Sequence, residues 1–393
     1  MSEEKKLILK MLKENKISED EALKLLDAIG NNENIENEED KDTEKNFEFS
    51  TSNFVSKIIN GVEKALNIAS KKIENMDFDF VNFSSQNFNS KTIKNYTYDI
   101  DNDINLFIKN KNGSVEIINS YSDNLEIKAN ISYDSNNLDE NYEFIESKIE
   151  NNDYYFGIKD ETSQPNYVVN FQVYVPEDYT KSINVISSNA GIKISEVDTK
   201  NINLKTSNAK IDLQEVNSDE IIATTSNANI SLEEIESKTI NITTSNARIN
   251  ICECSADKLV ATTSNARITL DDISIADLIT KTSNGSIQIN DLDCATVDAK
   301  SSNASISISD FADNIKNIRA KTSNGSIRIE DINLERSVKA VTSGKDSSGF
   351  SSLFKNINKN DNEIVATTES YNYSDENTLN IEAYTSNARV TIE

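Results

Sequence analysis

One asparagine recurs every nineteen residues through the middle of this chain, at Asn189, Asn208, Asn227, Asn246, Asn265, Asn284 and Asn303. Asn324 and Asn387 extend the series at spacings of 21 and 63, and Asn112 in KNGSVEI belongs to it by the same flanking pattern. Each unit reads [TS]-S-N-[AG]-x-I-x-[LI], as in TSNAKIDL, TSNANISL and TSNGSIQI. A fixed short period means a repeat architecture in which one unit cannot bury its own apolar face and must stack on the next.

Counting from each Asn as zero, offsets +3 and +5 are aliphatic (Ile211/Leu213, Ile230/Leu232, Ile249/Ile251), as are +13 and +15 (Ile202/Leu204, Ile240/Ile242). Offset +8 is Val216, Ile235, Cys254, Ile273 or Leu292. This alternation is that of short strands with one face inward. The fold class that follows is mainly β: a parallel β-helix, or β-solenoid, of coils of about 19 residues stacked roughly 4.8 Å apart. The asparagines, read as a structural ladder, then occupy one corner of every coil. There Asn tolerates the left-handed backbone region and its amide can bond along the stack. Thr at +17 points inward beside that corner and Ser at +18 outward. An exposed Thr/Ser array for ice or sugar would use the same composition.

The domain organisation reads as a helical hairpin at 1–30, an acidic flexible linker at 31–50, an amphipathic helix at 51–76 and the solenoid at 78–393. Ser18 and Glu21 form a capping box that opens the second helix of the hairpin. In the third helix Phe54, Ile58, Val62, Leu66 and Ile73 share a face opposite Lys57, Lys64 and Lys71. That layout suits a membrane surface through residues 53–75, a cap on the β domain, or a homo-oligomer seam. Two segments break the solenoid's rhythm. Residues 132–176 are rich in Tyr and Phe and insert about two strands between the Asn112 and Asn189 coils, and residues 343–380 replace about two coils. Each is read either as an end cap or as a binding insertion.

The chain has 393 residues, 40 Lys+Arg against 66 Asp+Glu, and neither His nor Trp. Without His there is no Ser-His-Asp triad, no Cys-His dyad and no imidazole acid or base. The charge of −26 repels phosphate backbones and argues against nucleic-acid partners. Cys252, Cys254 and Cys294 form no zinc or disulfide spacing. The N-terminal sequence lacks the apolar core of a signal peptide, which leads to an expectation of a cytoplasmic protein, with the cell surface or a membrane-associated site as the alternative.

One column carries the chemistry. Offset +7 is acidic in every well-registered unit: Glu196, Glu215, Glu234, Glu253, Asp272, Asp291, Asp310 and Asp331. Like charges one coil apart repel by roughly 1 kcal/mol in water, so something must relieve them. The readings are backbone N–H donors at the turn, Ca²⁺ held between coils, or an acidic strip for a cationic peptide or protein. The sequence assigns no metal, and no cofactor beyond the Ca²⁺ reading. An active site needs unlike neighbours that split pKa values, and near-identical units supply none, so no enzyme is expected. A Ca²⁺-dependent polysaccharide-acting β-helix is the enzymatic alternative.

The repeated motif with its acidic +7 resembles the bacterial putative-adhesin domain family over roughly residues 95–393. KKLILKMLKENKISEDEALKLLDAI is similar to the short helical module of LiaX-like and YvlB-like proteins of Gram-positive bacteria. The resemblance implies a non-catalytic binding or scaffold protein connected with the cell envelope or its stress response, its helical module serving oligomerisation or docking. The alternative is a cytoplasmic regulator that acts through its N-terminal helices.

Overall fold

The computed structural model describes residues 88–159, 166–333, 336–343, 349–352, 354–360, 363–372 and 377–393. The helices and linker expected over 1–76 lie outside the described residues. Everything that follows concerns residues within the unit 75–393.

Six long strands form the body: β9 (Gly191–Lys205), β10 (Ile211–Thr224), β11 (Ile230–Thr243), β12 (Ile249–Thr262), β13 (Ile268–Lys281) and β14 (Ile287–Lys300). Each pairs in parallel with the next at a shift of 19 residues, Ile211 with Ile230 and Ile230 with Ile249. The coil geometry follows from which residues turn inward. In β10 the inward positions are Ile211 and Leu213, then Val216 and Ser218, then Ile221 and Ala223, so the parity switches twice, while Ile222 is buried from the outer side of its wall. The ladder skips a residue at each switch, Glu215 and Asp219. A switch of parity in a two-residue period is a change of wall. Each coil therefore has three faces, at offsets +3 to +6, +8 to +10 and +12 to +16, and the TSN corner closes it. Each buried Ile or Leu contributes roughly 1.5–3 kcal/mol, and stacking repeats that gain coil by coil.

The left-handed residue is not the asparagine. All eight acidic residues at +7 have φ between +49° and +62°, and none of the ladder asparagines has positive φ. The reason is that the first wall must turn sharply into the second without a glycine, and a short polar side chain pointing to water tolerates that conformation. At the other corner the chain turns more gradually. The backbone N–H groups of Ser226 and Asn227 both donate to the carbonyl of Ser207 one coil back.

That leaves the asparagine amides free for one another. Nine Nδ2–H···Oδ1 bonds of 2.7–2.9 Å run from Asn387 through Asn324, Asn303, Asn284, Asn265, Asn246, Asn227, Asn208 and Asn189 to Asn112. Beside them Thr225, Thr244, Thr263 and Thr282 are buried and donate to the Ala carbonyl sixteen residues earlier at 3.1–3.3 Å. Gly285 and Gly325 replace that Ala where the chain passes closest to the coil below: a Cβ would lie 1.7 Å and 2.0 Å from the carbonyl oxygens of Ala266 and Ala304.

The first eight strands build one end: β1 (Ser90–Asp99), β2 (Ile104–Lys109), β3 (Gly113–Asn119), β4 (Asn124–Tyr133), β5 (Ile145–Glu150), β6 (Asp153–Ile158), β7 (Tyr167–Val175) and β8 (Thr180–Ile186). The inserted segment does not lie between the Asn112 and Asn189 coils. β2 pairs with β6 on one side and β8 on the other, and β3 with β7 and β9, so the Asn112 coil is flanked by the inserted strands and stacks directly on the Asn189 coil. Phe156 and Phe171 fill the core of the added layer, and Phe144 packs against Tyr167 and Tyr133 with ring centroids 5.1–5.2 Å apart. Antiparallel β1–β4 and β5–β6 pairs finish this end, so the insertion is a cap.

The other end repeats the device. It comprises β15 (Ile306–Phe311), β16 (Asn317–Lys321), β17 (Ile327–Ile329), β18 (Val338–Ser343), β19 (Gly349–Phe350), β20 (Phe354–Lys359), β21 (Ile364–Thr368), β22 (Leu379–Tyr384) and β23 (Val390–Ile392). A spacing of 63 suggests three coils between Asn324 and Asn387, but β22 and β23 pair directly with β16 and β17. β18 and β19 lie beyond them, and antiparallel β21 and β20 follow β18. Thr342 falls opposite Ala383 within the third face rather than at the TSN corner.

Candidate binding face

The second face exists only in the body of the solenoid. On one side it begins at β9, because after β3 the chain leaves for β4. On the other it ends where Leu292 pairs with Phe311. Within that stretch offset +10 carries Thr199, Ser218, Ser237, Ala256, Ile275 and Cys294, mostly smaller than the Ile and Leu of the other walls. Short inward side chains between two corners make the wall concave. A groove of about 940 Å³ runs along it, lined by offsets +9, +10 and +11 of six successive coils and closed by Asn314.

Acidic residues dominate the groove's rims: Asp198, Asp219, Glu236, Asp257 and Asp293 against Lys200 and Lys238. Lys238 bonds Asp219 at 2.6 Å, and Asn217 donates to Asp198 at 2.8 Å. A second depression of about 420 Å³ joins this groove to the acidic column, between Glu234, Glu253 and Asp272 on one side and Glu236, Ser255 and Ser274 on the other.

All eight column residues are exposed. Among the described residues the only hydrogen bond to a column carboxylate comes from the Tyr121 hydroxyl to Glu196. Backbone N–H donors therefore do not relieve the repulsion, because the left-handed residue turns its carboxylate away from the chain and into water. The Glu234 carboxyl is held above its ordinary range, by desolvation first and then by Glu215, Glu253 and Glu233. Tyr121, 70% exposed and itself left-handed, caps the column, and its hydroxyl is pushed up first by the bond to Glu196. None of the eight lines the groove itself, and Glu234, Glu253 and Asp272 line the smaller depression beside it.

Among the described residues no group of three or more Cys, Asp or Glu side chains is placed to hold a metal ion. Cys254 and Cys294 point into the core, where burial pushes their thiols up to about 12 and about 11. Phe54, Ile58, Val62, Leu66 and Ile73 lie outside the described residues. Sequence reasoning found the column but missed the groove beside it. The signal was there in the small residues at +10, which a search for aliphatic offsets passes over.

Residues 104–273 match the family described as Toastrack DUF4097, and residues 3–34 match a SHOCT-like domain. The first match runs from β2 into β13, the body of the solenoid. Among solved structures, a putative adhesin from Parabacteroides merdae is 14% identical over 61% of this chain and 96% of its own, with a TM-score of 0.40. One from Bacteroides fragilis is 13% identical over 61% and 98%, at 0.38. A third, from Parabacteroides distasonis, is 11% identical over 77% and 97%, at 0.42. No curated protein matches the sequence. Among the described residues no helix is long and apolar enough to cross a membrane.

Proposed function

We propose that the protein is a non-catalytic binding scaffold whose second face takes an extended cationic segment of a peptide or protein partner. The observation that carries this reading is the acidic groove along six coils, flanked by a column of exposed carboxylates. Coils repeat every 4.8 Å or so, whereas alternate side chains of an extended strand repeat about every 6.7 Å. Charges on groove and ligand therefore cannot meet in strict register. Recognition is by field and charge density, with exposed pairs worth about 0.2–1 kcal/mol each and a steep dependence on salt. The short helical module serves docking or oligomerisation, and the envelope supplies the setting in which cationic ligands are met.

The test is binding of a labelled Lys-rich peptide of about eight residues to the full chain at low and physiological salt. Replacing Glu215, Glu234 and Glu253 together by Gln weakens binding at low salt several-fold. Affinity that is unchanged by the triple substitution, or insensitive to salt, rules the acidic face out as the site.

A further inference from the structure

The acidic column begins on an aromatic ring. Tyr121, in the turn between β3 and β4, is more exposed than any other large apolar side chain among the described residues, and the rest of that group are isoleucines. Its backbone has φ of +52°, a conformation that costs a bulky aromatic residue more than it costs the short acidic residues of the column. The residue is nevertheless fixed at both ends. Its backbone N–H donates to the Asn119 side-chain carbonyl at 2.8 Å, and its hydroxyl donates to the Glu196 carboxylate. A fold gains little from a ring left in water, whereas a recognition surface gains a rigid apolar plate with a polar edge.

The surroundings decide what that plate can hold. Ser120 donates its backbone N–H to the carbonyl of Val175 at 2.8 Å, so the turn that carries Tyr121 lies beside the β7–β8 turn with Glu177. Glu196 lies on the other side, where β9 pairs with β3, and Glu215 follows one coil on. All three carboxylates are exposed. The Tyr121 hydroxyl is held above its ordinary range by its bond to Glu196 first, then by desolvation and the charges of Glu196, Glu215 and Glu177. A cation lying over the ring therefore meets the negative π-face and carboxylates from both neighbouring turns. Arginine suits that place better than lysine. Its flat guanidinium stacks on an aromatic face and directs its N–H groups sideways to carboxylates around the ring, whereas a lysine ammonium is compact and strongly hydrated.

We propose that Tyr121 selects arginine: an Arg side chain of the bound segment stacks on its ring at the β3–β4 end of the acidic column, with Glu177, Glu196 and Glu215 as acceptors. The proposal rests on the acidic face being the cationic binding site, and adds a preference for Arg over Lys and the end at which it is read. The test measures binding to the full chain, at one fixed salt concentration, of two peptides equal in length and charge. One has only Lys as its basic residues, and in the other both terminal Lys are replaced by Arg, so that either direction of binding presents an Arg to Tyr121. The parent binds the Arg-ended peptide about two- to fivefold more tightly, the gain of an exposed cation–π contact. Tyr121→Phe keeps that ratio because the ring remains, and Tyr121→Leu brings it to one while still binding the all-Lys peptide through the carboxylates. The side chain is exposed, so both variants keep the far-UV circular dichroism of the parent. Equal affinities of the parent for the two peptides, or a preference that survives in Tyr121→Leu, overturn the assignment and leave the acidic face standing as the site. A preference lost in Tyr121→Phe as fully as in Tyr121→Leu traces it to the hydroxyl's hold on Glu196 and overturns the role of the ring. If neither peptide binds the parent, the acidic face fails as the site and this inference fails with it.

Discussion

Cutting one rung from the asparagine ladder tests whether the amides hold the stack or only decorate it. Asn246 donates to Asn227 and accepts from Asn265, both at 2.7 Å, whereas Asn387 donates to Asn324 at 2.8 Å and is the outermost rung. A net contribution of about 0.5–1.5 kcal/mol per bond, taken toward the low end for an exposed amide, puts Asn246→Ala at about 1–2 kcal/mol. Asn387→Ala costs roughly half of that, since one bond is lost instead of two. Ser245, the exposed neighbour at the same corner, makes no side-chain contact of this kind, and Ser245→Ala stays within about 0.5 kcal/mol of the parent. Equilibrium urea unfolding followed by far-UV circular dichroism reads all three on one scale. A loss at Asn246 no larger than at Ser245, or a loss at Asn387 that equals or exceeds it, would refute the ladder as a source of stability.

The remaining predictions concern the corners and the core. At the left-handed column Glu253→Val costs about 1–2 kcal/mol more than Glu253→Gly in thermal or urea unfolding, because a β-branched residue is strained at positive φ where glycine is not. Gly285→Ala lowers the urea midpoint far more than Ala247→Gly, since the new Cβ would have to displace the Ala266 carbonyl. Glu234, whose folded carboxyl is raised, stabilises the fold at acid pH and ceases to as pH rises through that range. Glu234→Gln therefore raises the melting temperature at neutral pH and leaves it unchanged well below the carboxylate range. Cys254 and Cys294 resist thiol reagents at pH 8 in the folded chain and react once urea unfolds it, as do thiols that burial keeps protonated.

Much of this architecture is legible in the sequence because a stack imposes the same environment on every coil. The inward offsets +3, +5, +8, +13 and +15 could be read from Ile, Leu and Val alone, and the corner from TSN. What escaped depends on interactions that a repeat does not encode locally. Asn and the acidic residue both sit at corners and both tolerate positive φ. Which of them takes it is decided by hydrogen bonds to the coil below, such as those of Ser226 and Asn227 to Ser207. The groove was missed because Ser218, Ser237 and Ala256 look like loop residues until the parity shift at Glu215 turns them inward. The ends misled for a different reason. Spacing along a chain measures spacing along a stack only while successive coils are neighbours, and at Asn112 and Asn387 they are not.

The same layering governs the order in which the molecule can be made. Residues 379–393 fill the layer between β16–β17 and β18–β19, yet the ribosome delivers them after both of their neighbours. Until Val390 and Ile392 emerge, the nascent chain must keep a vacant slot one strand wide between two finished walls, or hold the outer wall away from the inner one. This end is therefore completed only after both neighbouring layers have been made, and until then the chain offers a vacancy into which a strand from a neighbouring nascent chain could insert.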